Sequence, residues 1–252
     1  MQLYATLPFT FYFVLVELLL GTALAVLLVE PQLEVGPGFL QFMGISVLVA
    51  VLIALWTASN LQGGALMRPL YGALAAAALY TVFAYRPHRL ARVAAGAALA
   101  GTSALALADG LAALGPLGDA PTVTASFAAA SLALGASMTG MLLGHWYLVA
   151  PMLSSRPLLR LTGLFLVALV AQAAILFWLL GGTDVLARFG IMVWMRAAFG
   201  IVFPLVMAAF VWYSCRIRAM RTATGILYLA VGCVVMGDIT AKVLYFLSAV
   251  PV

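Results

Sequence analysis

The chain has 252 residues, of which 66% are hydrophobic and only 8% are charged. Soluble domains carry about 25% charged residues, so the composition excludes a soluble protein and indicates a polytopic membrane protein. The net charge of +5 bears on membrane topology rather than on nucleic acid, because no basic cluster is interleaved with aromatic residues.

Eight apolar stretches are each long enough to cross a bilayer, which takes about 20 residues. Short turns rich in Pro and Gly separate them, which predicts helices packed against their sequence neighbours. The N-terminal stretch lacks a basic region and a small-residue cleavage site, so it does not indicate a removed signal peptide. We predict an all-α polytopic membrane protein with spans at residues 8–29, 39–59, 66–86, 90–112, 122–149, 157–181, 188–214 and 222–249.

Arginines concentrate on one side of the predicted membrane, here named the arginine-rich face. The opposite, arginine-poor face has only Arg188 in its connections, with Arg68 at a helix mouth. The positive-inside rule makes the arginine-rich face cytoplasmic, so both termini are expected outside, in a bacterial inner membrane. The residues that define the arginine-rich face are Arg86, Arg89, Arg92, Arg156, Arg160, Arg216, Arg218 and Arg221.

The two halves of the sequence resemble each other. Met67-Arg68 is echoed by Met195-Arg196, and the spacing from Arg92 through Gly96 to Asp109 recurs from Arg221 through Gly225 to Asp238. A weaker match aligns Gly21 with Gly135. Because each half has an even number of spans, the copies share one orientation. We predict two parallel-repeat four-helix bundles, residues 1–118 and 119–252.

The repeat predicts two ion pairs inside the membrane. At 1.5 Å per residue, the Arg and the Asp of each half both lie about 25 Å from the arginine-rich face, on neighbouring antiparallel helices. Charges in hydrocarbon need partners. We therefore expect Arg68 to pair with Asp109 and Arg196 to pair with Asp238. These pairs are either functional or locks that hold each bundle together.

Three ionisable residues have no counterpart in the other half: Glu17, Lys242 and His145. Intramembrane ionisable residues are candidates for function. Glu17, Arg196, Asp238 and Lys242 all belong to the middle of the membrane or its outer half, where they could line one polar cavity. His145 lies near the cytoplasmic end of the fifth span, beside Trp146 and Tyr147.

Several chemistries find little support in the sequence. The only two histidines, His88 and His145, would place a bis-His haem at the cytoplasmic edge of the membrane. The sequence therefore does not favour a haem-binding protein. No His, Cys, Asp or Glu cluster has metal-ligand spacing, and no nucleophile has a neighbouring base. Cys215 and Cys233 are interpreted as buried thiols.

The last span carries Gly237-Asp238, then Lys242 four positions after the acid, then Tyr245-Phe246. This motif resembles the membrane anchor subunits of polysulfide, nitrite and dimethyl sulfoxide reductases, which carry a Gly-acid pair, a basic residue four positions later and then an aromatic pair. This chain has Asp and Lys where Glu and Arg are usual. The resemblance implies eight spans in two bundles, quinone binding near the outer face without a redox cofactor of its own, and an iron–sulfur partner.

The leading interpretation is an integral subunit of a respiratory or other electron-transfer complex. It would be at most the membrane anchor of an oxidoreductase, binding quinone or quinol beside iron–sulfur or cytochrome subunits. Its candidate quinone or proton-handling residues are Glu17, His145, Arg196, Asp238 and Lys242. One alternative is a small transporter or proton-conducting protein that uses Glu17, Asp238 and Lys242, and another is a structural assembly subunit.

Overall fold

The computed structural model describes residues 3–30, 35–61, 64–115 and 117–251, and every regular element in them is helical. Eight helical spans in these residues are long and apolar enough to cross a membrane. This confirms the predicted all-α polytopic fold, and the span limits differ from the predicted ones by a few residues. The helices are α1 (Leu3–Val29), α2 (Pro37–Ser59), α3 (Gly64–Ala84), α4 (Arg89–Leu114), α5 (Ala120–Val149), α6 (Arg156–Gly182), α7 (Val185–Ala197), a π-helical turn (Ala198–Val202), α8 (Phe203–Arg216) and α9 (Met220–Ser248).

Residues expected in turns begin several of the helices. Pro37 is the first residue of α2, and Pro157 lies in the first turn of α6, where proline's fixed φ suits a helix and its missing N–H is not needed. Asp119 caps α5, because its Oδ2 accepts a hydrogen bond from the Thr122 amide at 3.0 Å and another from the Thr122 hydroxyl. These bonds hold the pKa of the Asp119 carboxyl below its usual value.

Each set of four spans closes into a ring. In the first, α1 packs against α2 and α4, while α3 packs against both α2 and α4. In the second, α5 packs against α6 and α9, while α8 packs against α6 and α9. The two sets share this neighbour pattern, while the arrangement as two repeated bundles stays a prediction. The rings also interlock, because Val14 of α1 lies in the hydrophobic core of the second set.

The rings meet where α1 crosses α5 at two glycines. A Cβ added to Gly135 would lie 1.8 Å from the carbonyl carbon of Gly21, and one added to Gly21 would lie 1.7 Å from the carbonyl oxygen of Ser131. The backbones touch here because neither residue has a side chain, as is common between membrane helices. The glycines are the pair that the sequence repeat aligns. The crossing fixes how α1 is presented to the second ring.

The seventh span is interrupted twice. Phe189 in α7 has non-helical dihedral angles (φ −128°, ψ 31°), and a π-helical turn follows directly after Arg196 and Ala197. Within that turn Gly200 packs against α9, where a Cβ on Gly237 would lie 2.1 Å from the Gly200 Cα. π-helical turns frequently occur at functional sites. This one sets the position of the Arg196 side chain in the core, and nothing in the apolar sequence pattern predicted it.

Candidate functional site

Three charged side chains from opposite ends of the sequence meet inside the membrane region. The Nζ atom of Lys242 lies 2.8 Å from Oε1 of Glu17 and 2.9 Å from Oδ1 of Asp238. All three are buried, with exposed fractions of 0% for Glu17, 2% for Asp238 and 3% for Lys242. Lys242 and Asp238 are one helical turn apart on α9, so one ammonium can reach both carboxylates. We name these residues the Glu17 cluster.

The Glu17 cluster lies at mid-depth and between the two rings. Glu17 is about 15 Å along α1 from Leu7, and Asp238 is about 15 Å from the end of α9. α1 belongs to the first ring and α9 to the second. On the side towards the arginine-poor face, the ring of Phe127 in α5 covers the ammonium, with its centroid 4.1 Å from Lys242 Nζ. Helices α1, α5 and α9 therefore enclose the site.

The predicted Arg196–Asp238 pair does not form. Arg196 is 3% exposed, and its NH2 group donates a hydrogen bond to Oε1 of Gln172 in α6. Gln172 in turn donates from Nε2 to the Ala129 carbonyl oxygen at 3.1 Å. Asp238 is instead paired with Lys242, because an i,i+4 partner on the same helix is nearer than one on α7. Arg196 still lies close by, since its guanidinium contacts the position of a Cβ on Gly237.

Gln172 is a residue that the sequence reasoning missed. It is a buried polar side chain in the middle of α6. Searching the spans for amide side chains as well as charged ones would have identified it. It connects Arg196 to α5 and accepts one of the hydrogen bonds that the guanidinium can donate.

The four charges of this region balance, but their hydrogen bonds are incomplete. Two acids, Glu17 and Asp238, face two bases, Lys242 and Arg196. Four buried atoms nevertheless have no hydrogen-bond partner among the described residues, namely Glu17 Oε1 and Oε2, Asp238 Oδ2 and Arg196 Nε. Glu17 Oε1 has only its ion-pair contact with Lys242. Buried polar atoms are normally satisfied, so this concentration of exceptions marks the region as a candidate for function.

The predicted Arg68–Asp109 pair is also wrong. Both side chains are exposed at the surface of the first ring, and no ion pair joins them within the part of the chain that the structure describes. Residue counting puts them at one depth, but two helix surfaces at equal depth need not face each other. Among the described residues of the first ring, no counterpart of the Glu17 cluster is found.

A second buried ion pair, not predicted as a pair, lies towards the arginine-rich face. Arg92 Nε lies 2.6 Å from Oε1 of Glu30, whose side chain is 0% exposed, and the Tyr80 hydroxyl donates to Oε2 of the same carboxylate at 3.2 Å. This pair joins α1 to α4 and α3. Because both charges have short-range partners and neither is orphaned, we interpret it as a structural connection.

His145 is separate from the Glu17 cluster. It is exposed near the end of α5, and its Nδ1 lies 3.3 Å from the hydroxyl oxygen of Tyr228 on α9. His88 lies in the α3–α4 connection, where its ring contacts Phe83. The structure therefore brings Glu17, Asp238 and Lys242 together, keeps Arg196 beside them and leaves His145 elsewhere.

A lipid-facing groove runs along α1, and some of its lining residues are close in sequence to Glu17 and Asp238. Its volume is about 600 Å³. Val14, one turn before Glu17, and Ile239, directly after Asp238, both line it, so the seam between α1 and α9 forms its back wall. We name it the α1–α2–α9 groove, and it is lined by Leu7, Pro8, Phe11, Val14, Leu15, Ile53, Trp56, Thr57, Asn60, Val235 and Ile239.

No three His, Cys, Asp or Glu side chains converge as a metal site within residues 3–30, 35–61, 64–115 and 117–251.

Comparison with known proteins does not name a function. No model of a protein family, no curated protein and no solved structure matches the chain.

Proposed function

We propose that this integral membrane protein binds a quinone or quinol in the α1–α2–α9 groove and exchanges protons with it through the Glu17 cluster. The observation that carries the proposal is the shared wall between the two features. Val14, three residues before Glu17, and Ile239, directly after Asp238, line the groove, and both carboxylates are buried. A quinone has a hydrophobic ring and two carbonyl groups, so it suits a site that is open to lipid and close to buried carboxyl groups.

The residues of the groove fit such a ligand. Ligand sites usually measure roughly 300–1,000 Å³ and are mostly apolar with a few polar groups. Here Phe11 and Trp56 supply aromatic surface, and Thr57 and Asn60 supply polar groups. The groove faces lipid, the phase in which a quinone tail dissolves. A bound quinone would supply two-electron, two-proton chemistry.

The protein's own part in this proposal is to hold and transfer protons. Both oxygens of Glu17 and one oxygen of Asp238 have no hydrogen-bond partner among the described residues, and a carboxylate oxygen can accept a proton. Lys242 holds the two carboxylates together, and Arg196 supplies the charge that balances them. The electrons are assigned to an iron–sulfur or cytochrome partner subunit, as the resemblance of the last helix implies.

Filling the groove should remove the quinone. We expect the chain purified from bacterial membranes to retain about one quinone per molecule, and Ile53→Trp to lose most of it. Ile53 is 46% exposed within the groove, so a larger ring there occupies the ligand's space without disturbing the core. Solvent extraction followed by chromatography measures the bound quinone.

Val170→Trp is the matched control, since Val170 is a lipid-facing residue of α6, 58% exposed, outside the groove. Its quinone content should equal that of the unaltered protein. Equal quinone content in the Ile53→Trp and Val170→Trp proteins, or no bound quinone in any of them, would remove the support for this proposal.

A proton-conducting protein or small transporter is the second candidate, because the Glu17 cluster lies at mid-depth between the two rings. Coupling-ion sites of repeat-built transporters occupy that position. In sealed liposomes containing this chain alone, net proton flux measured with a pH-sensitive dye would favour conduction, whereas the quinone proposal requires none. A purely structural subunit would tolerate removal of all the cluster's charges together.

A further inference from the structure

A second cavity opens at the arginine-poor face, between the α4–α5 connection and the end of α9. It has a volume of about 200 Å³ and shares no lining residue with the α1–α2–α9 groove. Its rim is exposed at Gly115, Gly118 and Thr124. Because α4 ends at Leu114 and α5 begins at Ala120, this cavity opens next to the ends of these two spans, where water is available. It is lined by Leu111, Gly115, Leu117, Gly118, Ala120, Val123, Thr124 and Tyr245.

Two aromatic rings separate this cavity from the Glu17 cluster. Tyr245 lines the cavity and donates a hydrogen bond from its hydroxyl to the Leu117 carbonyl oxygen at 2.9 Å. Its ring meets that of Phe127 edge-on, with centroids 5.5 Å apart. Phe127 in turn covers the ammonium of Lys242 at 4.1 Å. Both rings are almost fully buried, so a continuous stack runs from the cavity to the cluster.

We propose that this cavity is the aqueous access site of the Glu17 cluster, and that the Tyr245 ring closes it. The inference rests on the proposed proton-handling role of the cluster and names the route by which its protons reach water. In the proposed function the quinone occupies the groove, so the protons need a separate route to water. The ligand of the cavity is accordingly water or hydronium.

One hydrogen bond and two ring contacts of a buried side chain hold the closed state. Rotating the Tyr245 side chain breaks its hydrogen bond to Leu117 and its ring contacts with Phe127 and Phe246, while the backbone of α9 stays in place. Lys242 is one turn before Tyr245 on the same helix, so the opening would lie beside the Phe127 ring that covers the ammonium. A proton could then pass between the cluster and the cavity once the Phe127 ring also turns, without any movement of the two helix rings.

Thiol labelling tests this closure. In a protein whose native cysteines are replaced (Cys215→Ala and Cys233→Ala), Phe127→Cys places a thiol behind the Tyr245 ring. The probe is a small cationic methanethiosulfonate reagent, applied to the full chain in lipid nanodiscs. We expect Tyr245→Ala to speed modification of that thiol at least tenfold relative to Tyr245→Phe, which keeps the ring.

Phe165→Cys is the control for general loosening, because Phe165 is equally buried but lies in the core of the second ring. Its modification rate should stay low with either residue at position 245. A second variant, Thr124→Trp, fills the cavity and should slow modification of the Phe127→Cys thiol when Tyr245→Ala is present.

Equal rates for Tyr245→Ala and Tyr245→Phe would overturn the inference. If Tyr245→Ala also makes the Phe165→Cys thiol reactive, the test is whether Thr124→Trp slows modification of the Phe127→Cys thiol. An unchanged modification rate with Thr124→Trp would likewise overturn the inference. The labelling result does not depend on quinone. If Tyr245→Ala speeds labelling but the purified protein holds no quinone, the access route stands and the quinone proposal fails. If quinone is bound but the labelling rates with Tyr245→Ala and Tyr245→Phe are equal, the quinone proposal stands and the access route fails.

Discussion

Gly135→Ala is expected to lower the free energy of unfolding by about 3 kcal/mol or more, the upper range for overpacking a well-packed site. The added Cβ would lie 1.8 Å from the Gly21 carbonyl carbon and 2.3 Å from the Thr22 amide nitrogen. Both are backbone atoms, so no side-chain rotation relieves the clash and α1 must move away from α5. That displacement would also carry Glu17 away from Lys242.

Denaturant titration in detergent micelles measures this effect. Gly232→Ala is the matched control, because no atom lies within 4 Å of a Cβ added there, and alanine favours a helix over glycine by about 1 kcal/mol. Gly232→Ala should therefore be neutral or slightly stabilising. If Gly135→Ala unfolded at the same denaturant concentration as Gly232→Ala, the two rings would not meet at this crossing.

Lys242→Met should be the most damaging single change within the Glu17 cluster. Lys242 is the only lysine of the chain, and its removal leaves two buried carboxylates that face only Arg196 as a balancing charge. Breaking a buried ion pair by deleting one partner costs about 3–5 kcal/mol, since the remaining charge is uncompensated. The loss is measured as the change in unfolding free energy.

A second substitution distinguishes lost charge balance from lost packing. Lys242→Met combined with Glu17→Gln leaves one acid and one base, so most of the stability should return. Arg188→Met breaks an exposed pair with Asp184 at 3.7 Å and should cost no more than about 1 kcal/mol. If Glu17→Gln gave no recovery, Lys242 would act through its packing rather than its charge.

The apolar lengths of the eight spans made the fold predictable from sequence, because hydrocarbon thickness sets helix length directly. The Glu17 cluster was only partly predictable. The ionisable residues within spans could be named, but their partners depend on which helices touch. Glu17 meets Lys242 because α1 crosses into the second ring at Gly21 and Gly135, a contact between halves that a repeat alignment does not describe.

The two predicted Arg–Asp pairs fail for a related reason. Depth along a helix follows from residue counting, whereas rotation about the helix axis depends on packing. Arg196 is turned towards Gln172 by the π-helical turn that begins directly after α7, and Asp238 has Lys242 on its own helix. The position of the α1–α2–α9 groove likewise depends on where three helices separate, so no local sequence pattern predicts it.

The central claim is that Glu17 and Asp238 exchange protons with a quinone bound in the adjacent groove. Redox-difference infrared spectroscopy of the purified protein in lipid, supplied with quinone, measures this exchange directly. We predict a carboxylic acid C=O band that changes when the quinone is reduced, and that is lost or shifted in Glu17→Gln or Asp238→Asn. A difference spectrum with the same carboxyl bands in the unaltered protein and in both variants would contradict the account.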